Sequence, residues 1–262
     1  MYSIVLTIHN KDFLVDRAIS SIAKLTEGLY ELIIVLDGCS DNSEKYTLET
    51  LSKFPNINYK ILYASDVFET KANNIGMKAS QGDYIIIVQD DMVVNEQGWN
   101  QRLTKPIKEF DDVYACSAFC AHNIELKDGI ISHTDFYYAR PQTSKRDIFA
   151  IRDVAPRGPL LLRHDTLESV GYLDEDFAPG MLDDHDLHAR VFKKTGMLCG
   201  AYKTDYISKF EWGSSHPWPW RGKDTPYKEW VCKAEEKNSI IMKERHMDFI
   251  CMEKHNEDRH LS

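Results

Sequence analysis

Four short apolar runs, 3–8 (SIVLTI), 31–37 (ELIIVLD), 58–64 (NYKILYA) and 83–89 (DYIIIVQ), punctuate the first third of the chain, and helical patterns separate them. Strands that are apolar on both faces must be covered on both faces, which is the mark of a mostly parallel α/β sheet flanked by helices. Between the first two runs, Phe13, Leu14, Ala18, Ile22 and Leu25 fall near one helical face. After the second run, Asp41, Asn42 and Ser43 offer caps to the next helix, and 71–80 (KANNIGMKAS) reads as a short helix. Such sheets bind ligands at the carboxyl ends of their strands. The polar groups there are Thr7, His9 and Asn10 after the first run, Asp37 after the second, and Asp90 and Asp91 after the fourth.

From residue 113 the rhythm changes. Segments 113–122 and 129–138 predict strands or hairpins, 140–147 a polar loop, and 159–171 a strand followed by a short helix capped by Gly171. Segment 181–196 (MLDDHDLHARVFKKTG) reads as an acid-led helix closed by Gly196, with Lys193 and Lys194 in the last turn where the dipole favours cations. An aromatic loop over 211–226 and a charged amphipathic helix over 227–253 follow, the helix offering Trp230, Ala234, Ile240, Ile241 and Met247 to the body or to a second subunit of a homo-oligomer. No linker interrupts the chain, so the second half is read as built onto the first. At 262 residues and 43% hydrophobic, there is enough chain for one large domain with a C-terminal extension.

A net charge of -9 argues against nucleic acid or an anionic membrane as the main partner. The first residues lack a basic region and a cleavage site, and no run approaches the roughly 20 apolar residues of a membrane span, so neither a signal peptide nor a transmembrane segment is expected. Cys39, Cys116, Cys120, Cys199, Cys232 and Cys251 lack paired metal-knuckle spacing and read as reduced thiols of a cytoplasmic protein, with Cys116 and Cys120 as a metal or redox pair the minor alternative.

Asp90 and Asp91 stand between apolar runs, at the edge of a core where unpaired carboxylates are disfavoured. They are either a solvated turn or an oxygen site for Mg²⁺ or Mn²⁺, which take one or two carboxylates together with phosphate oxygens. In Asp183-Asp184-His185-Asp186 three acids occupy four positions, more than a helix start requires. Gly158 is either a strand-start glycine or a point of close backbone approach for a ligand, and Arg157 is set to pair with phosphate or with nearby acids. Trp212, Trp218, Trp220 and Trp230 suit sugar stacking and a small extra core equally well.

The series Asn10, Asp37-Gly-Cys-Ser-Asp-Asn-Ser, Ala72-Asn73-Asn74-Ile75-Gly76, Gly82-Asp83-Tyr84 and Gln89-Asp90-Asp91 resembles the nucleotide-sugar half of family 2 glycosyltransferases of the GT-A fold. The resemblance resumes over 157–196, at Arg157-Gly158, Gly171-Tyr-Leu-Asp-Glu-Asp-Phe and Leu182-Asp-Asp-His-Asp. It implies a GT-A domain over 1–210, with a nucleotide-sugar half (1–95) and an acceptor half (96–210), and a packed extension over 211–262. Thr7, His9 and Asn10 would line the nucleotide pocket, Asp37 would bind base or ribose, Lys71 and Asn74 would flank the base, and Asp90 would lie near the donor ribose or sugar. Gly158 would admit the donor sugar. Asp91 and, from the aromatic loop, His216 would hold Mn²⁺ or Mg²⁺, with Gln89 standing where the family usually has an acid. Asp184 would be the base of an inverting transfer from a nucleotide diphosphate sugar, a UDP-sugar favoured, to a hydroxyl of a glycan or glycoconjugate acceptor. The rival readings are a nucleotidyltransferase, for which the glycine-rich basic phosphate loop is missing, and a catalytically weak protein that binds nucleotide sugars.

Overall fold

The computed structural model describes residues 1–140, 144–213 and 226–261. The apolar runs form β1 (Tyr2–Ile8), β2 (Tyr30–Asp37), β3 (Tyr59–Ala64) and β4 (Tyr84–Gln89), interleaved with α1 (Val15–Leu25), α2 (Ser43–Leu51) and α3 (Phe68–Lys78). These strands pair in parallel in the order β4-β1-β2-β3. Their continuous hydrophobicity has a simple cause: Ile4, Leu6, Ile34, Ile86 and Val88 enter one core layer while Val5, Ile33, Ile85 and Ile87 enter the layer on the opposite face. Each such burial contributes about 1.5–3 kcal/mol before chain entropy is counted. Gly76 lets α3 lie directly on the sheet, since a Cβ there would stand 2.3 Å from Val5 Cγ1.

Beyond β4 come β5 (Val93–Val94), α4 (Trp99–Glu109), β6 (Val113–Ser117), the hairpin β7 (Cys120–Lys127) and β8 (Ile130–Tyr138), β9 (Ile148–Arg152), β10 (Leu160–Arg163) and α5 (His164–Val170). The chain continues through α6 (Asp183–Thr195), β11 (Leu198–Tyr202), β12 (Tyr206–Ile207), α7 (Pro226–Ile250) and β13 (Glu257–His260). One sheet runs β13-β9-β11-β6-β10-β4-β1-β2-β3, so both halves of the chain share it. β10 is antiparallel to both β4 and β6, and β13 is antiparallel to β9. The α/β class stands as the sequence predicts.

β9 and β13 have no counterpart in the sequence reading. β13 (EDRH) carries no apolar residue and is a strand only because it pairs with β9, its charges blunting an exposed edge. The helical phase of α7 also differs from expectation. Ala234, Asn238, Met242, Phe249 and Ile250 are buried, whereas Ile240 and Met247 are exposed. A break at His246 (φ -134°) turns the last stretch of α7, and His246 reaches Asp186 on α6 at 2.8 Å. Among the described residues, no helix is long and apolar enough to cross a membrane. All six cysteines are free thiols; Cys116 and Cys120 lie in the core, and burial pushes both thiols up.

Candidate functional site

The carboxyl ends of β1, β2 and β4 open into a cavity lined by Thr7, His9, Asp37, Phe68, Glu69, Ala72, Gln89, Asp90 and Asp91. Asp90 Oδ2 accepts from the His9 amide at 2.9 Å and its Oδ1 lies 3.7 Å from Lys11 Nζ. Burial pushes Asp90 up to about 7 even so, and neighbouring Asp91 adds to the rise. Asp90 and Asp91 both line the pocket, and carboxylate ligands suit Mg²⁺ or Mn²⁺. The His9 ring is fixed at both nitrogens, Nδ1 donating to the Asp37 carbonyl (2.6 Å) and Nε2 accepting from Asn10 Nδ2 (3.2 Å). Asn10, at φ 50°, spends its Oδ1 on the Ser40 amide (2.8 Å) and so shapes the rim. Asp37 faces the cavity but also holds the turn into α3, its two oxygens accepting from the Val67 (2.8 Å) and Phe68 (2.7 Å) amides.

Gln89 begins a chain of side chains that leads from this cavity to α6. Its Nε2 donates to Glu69 Oε1 (2.6 Å), which also receives Arg157 Nε (3.0 Å). Arg157 Nη2 donates to Asp183 Oδ1 (2.8 Å), and Thr70 closes the run on Asp183 Oδ2 (2.7 Å). Arg157 Nε and Nη2 are thus both on acids, while Nη1 has no hydrogen-bond partner among the described residues. Burial pushes Glu69 up and Arg157 counteracts it. The amide at position 89 thus has a physical reason: an acid there would face Glu69 at hydrogen-bond distance. Gln89→Glu is expected to lower stability by about 1–3 kcal/mol, the cost of an unmatched buried polar contact. A metal-free urea midpoint equal to that of the wild type would show the explanation to be wrong.

The first turn of α6 carries Asp183, Asp184 and Asp186, all buried. Asp184 Oδ1 accepts from both the His185 amide (2.9 Å) and His185 Nδ1 (2.6 Å), while its Oδ2 accepts no hydrogen bond among the described residues. Burial works to raise Asp184, but His185, Arg157 and His188 outweigh it and hold the carboxyl well below the usual range. Asp186 instead anchors the helix, pairing with Arg190 (2.7 Å) and His246 (2.8 Å). Met181 and Leu182 lead into α6 at φ 72° and 61°, a conformation that costs non-glycine residues of order 1–3 kcal/mol each. Asn238 Nδ2 holds that segment through the carbonyls of Phe177 (2.8 Å), Gly180 (2.7 Å) and Met181 (2.8 Å).

Lys71 and Asn74 do not line the cavity. Asn74 is buried with its amide clamped to the Leu173 backbone (2.8 and 3.1 Å) and to Glu175, and Lys71 acts on Glu175 through its charge. Gly158 (φ 141°) is required by its backbone and by crowding, since a Cβ would meet Phe119 at 3.1 Å and Met92 at 3.2 Å. His216, Trp218 and Trp220 lie outside the described residues. Trp212 is core, packed with Leu14 and Val93, and Trp230 meets the cavity residue Phe68 edge-on with ring centroids 4.5 Å apart.

The sequence reading missed Phe68 and Glu69, which no local motif marks. It also missed His122 and His133, whose Nε2 atoms lie 3.2 and 3.1 Å from His185 Nε2. The Asp128-Gly129 turn between two β-patterned runs was the available signal, because it folds those positions together. Burial pushes His133 down to about 4, and His122 down to about 2.

The sequence model of Glycosyl transferase family 2 matches residues 3–161. Over 99 residues the chain is 33% identical to the minor teichoic acid biosynthesis protein GgaB of Bacillus subtilis (strain 168), a match spanning 36% of the chain and 11% of that relative. The fold is similar to that of glucosyl-3-phosphoglycerate synthase from Mycobacterium tuberculosis in complex with Mn²⁺, UDP and phosphoglyceric acid, with a TM-score of 0.59, 14% identity and coverage of 97% of the chain and 79% of that structure. It is also similar to GalNAc-T7 with UDP, GalNAc and Mn²⁺, with a TM-score of 0.61, 16% identity and coverage of 77% and 42%. At these identities the likeness to solved structures establishes the fold.

Proposed function

Because the chain belongs to glycosyl transferase family 2, we propose that it moves a sugar from a nucleotide diphosphate sugar, with UDP as the nucleotide, to a hydroxyl of a glycan or glycoconjugate acceptor, with inversion at the anomeric carbon. The observation that carries this reading is the pairing of an acid-lined cavity at the strand ends with a buried carboxylate, Asp184, on the helix that Arg157 ties to that cavity.

In this reading Thr7, His9 and Asp37 receive the nucleoside, and Asp90 and Asp91 face its diphosphate. The acceptor hydroxyl gives its proton to Asp184 Oδ2 as its oxygen bonds to the anomeric carbon, and the bond from that carbon to the diphosphate oxygen breaks. Asp91 with Asp90, joined by His216, would hold Mn²⁺ or Mg²⁺, which when bound offsets the charge developing on the leaving diphosphate. His185 and Arg157 beside Asp184 favour its carboxylate form, the form that can accept a proton.

A thermal-shift panel of UDP, GDP, CDP and dTDP, each with and without Mn²⁺, tests donor class and metal dependence together. UDP with Mn²⁺ is expected to raise Tm by several degrees, corresponding to about 2.7 kcal/mol at a hundredfold excess over Kd. Equal shifts from all four nucleotides, or a UDP shift that ignores the metal, would overturn the reading.

A further inference from the structure

Three histidines gather beside Asp184, and the sugar-transfer chemistry described above gives no role to two of them, His122 and His133. His122 lies on β7, His133 on β8 and His185 in the first turn of α6, and one nitrogen from each falls within 4.8 Å of the other two. The hairpin register sets His133 opposite Ile124, diagonal to His122, so both rings reach toward α6. His122 is packed against Phe136, ring centroids 5.0 Å apart, while His133 is exposed and leaves the cluster a route to solvent.

The arrangement is hard to account for by hydrogen bonds alone. Asp184 Oδ1 lies 2.6 Å from His185 Nδ1, and a carboxylate only accepts, so that nitrogen carries the proton; in the neutral ring, the form that binds a metal, Nε2 is then a lone pair. One lone pair takes one well-formed hydrogen bond, yet two imidazole nitrogens face it, at 3.2 and 3.1 Å. A cation resolves the conflict. Zinc–nitrogen bonds of about 2.0–2.1 Å in a tetrahedral site set the nitrogen–nitrogen edges at about 3.3 Å, close to both separations. A carboxylate that accepts from the far nitrogen of a ligating histidine is the usual outer partner in such sites, and Asp184 holds His185 in that way.

We propose that His122, His133 and His185 form a three-histidine site for Zn²⁺, with Asp184 orienting His185 and the fourth position open. All-imidazole ligation suits Zn²⁺, whereas the carboxylates of the strand-end cavity suit Mg²⁺ or Mn²⁺. The two sites therefore differ in both ligands and ion. A bound Zn²⁺ joins the β7–β8 hairpin to the first turn of α6, so metal and hairpin together set the position of the turn that carries Asp184. The proposal does not depend on the sugar-transfer reading, because its test measures metal binding.

The experiment uses the tag-free chain, freed of metal with a chelator and titrated with Zn²⁺ by calorimetry, alongside His133→Ala, His122→Ala and Asp91→Asn. The wild type is expected to bind one equivalent and to gain Tm. His133→Ala and His122→Ala are expected to weaken binding at least tenfold and to lose that gain, and Asp91→Asn to keep it. Since His133 is exposed, circular dichroism of His133→Ala is expected to match the wild type. In the wild-type chain Co²⁺ is expected to give the visible absorption of a tetrahedral nitrogen site. Absence of stoichiometric Zn²⁺ in the wild type, or unchanged affinity in both histidine variants, would overturn the proposal.

Discussion

Asp184→Asn is expected to lower kcat for sugar transfer by at least about 10²–10⁴-fold, the usual worth of a positioned general base, with UDP affinity held within a few-fold. The amide keeps the shape of the side chain, and its oxygen can still accept from the His185 amide and from Nδ1, the two contacts that Oδ1 makes now. What it loses is proton affinity at the second oxygen. Nucleotide release followed with acceptor present, together with UDP calorimetry, separates the two quantities. A variant that keeps near wild-type turnover, or that loses UDP binding in step with activity, would place the base elsewhere. Because the orienting contact survives, Zn²⁺ binding in this variant is expected to stay close to that of the wild type.

Arg157→Met is expected to lower stability by about 3–5 kcal/mol, with a fall in Tm of roughly 10 °C. Arg157 is 7% exposed and stands between Glu69 and Asp183, the latter fully buried. Methionine matches much of its volume, so the loss isolates charge from packing. Two carboxylates then remain near one another with their cation gone. Adding Glu69→Gln to the variant is expected to recover part of the loss, since one of the stranded charges disappears. Urea unfolding of the wild type, the single variant and the double variant measures this, and a single-variant loss under about 1 kcal/mol would mean the ion pairs are better solvated than their burial suggests.

The parallel half of the fold was legible because each strand announces itself by hydrophobicity on both faces, and the strand-end position of Asp37, Asp90 and Asp91 follows from that alone. The helix α6 was equally legible, from its acids at one end and Gly196 (φ 72°) at the other. Glu69 was not, because its importance comes from meeting Gln89, twenty residues away, and Arg157, eighty-eight away. The amide of Asn74 is likewise held by a distant partner, the Leu173 backbone ninety-nine residues later in the chain. β13 was invisible for want of any apolar content, since pairing with β9 and the Arg259–Asp112 ion pair make it a strand.

That last strand sets a timetable for biosynthesis. β9 is entirely buried in the finished sheet, and its outer edge is closed by Glu257 pairing with Ile151, a separation of 106 residues. At ribosomal rates of about 5–20 residues per second, β9 leaves the tunnel roughly 5–20 s before its partner exists. For that interval the apolar segment Ile148–Arg152 presents unpaired backbone to the cell, the kind of edge that templates aggregation. Until β13 is synthesised, that edge needs a temporary cover.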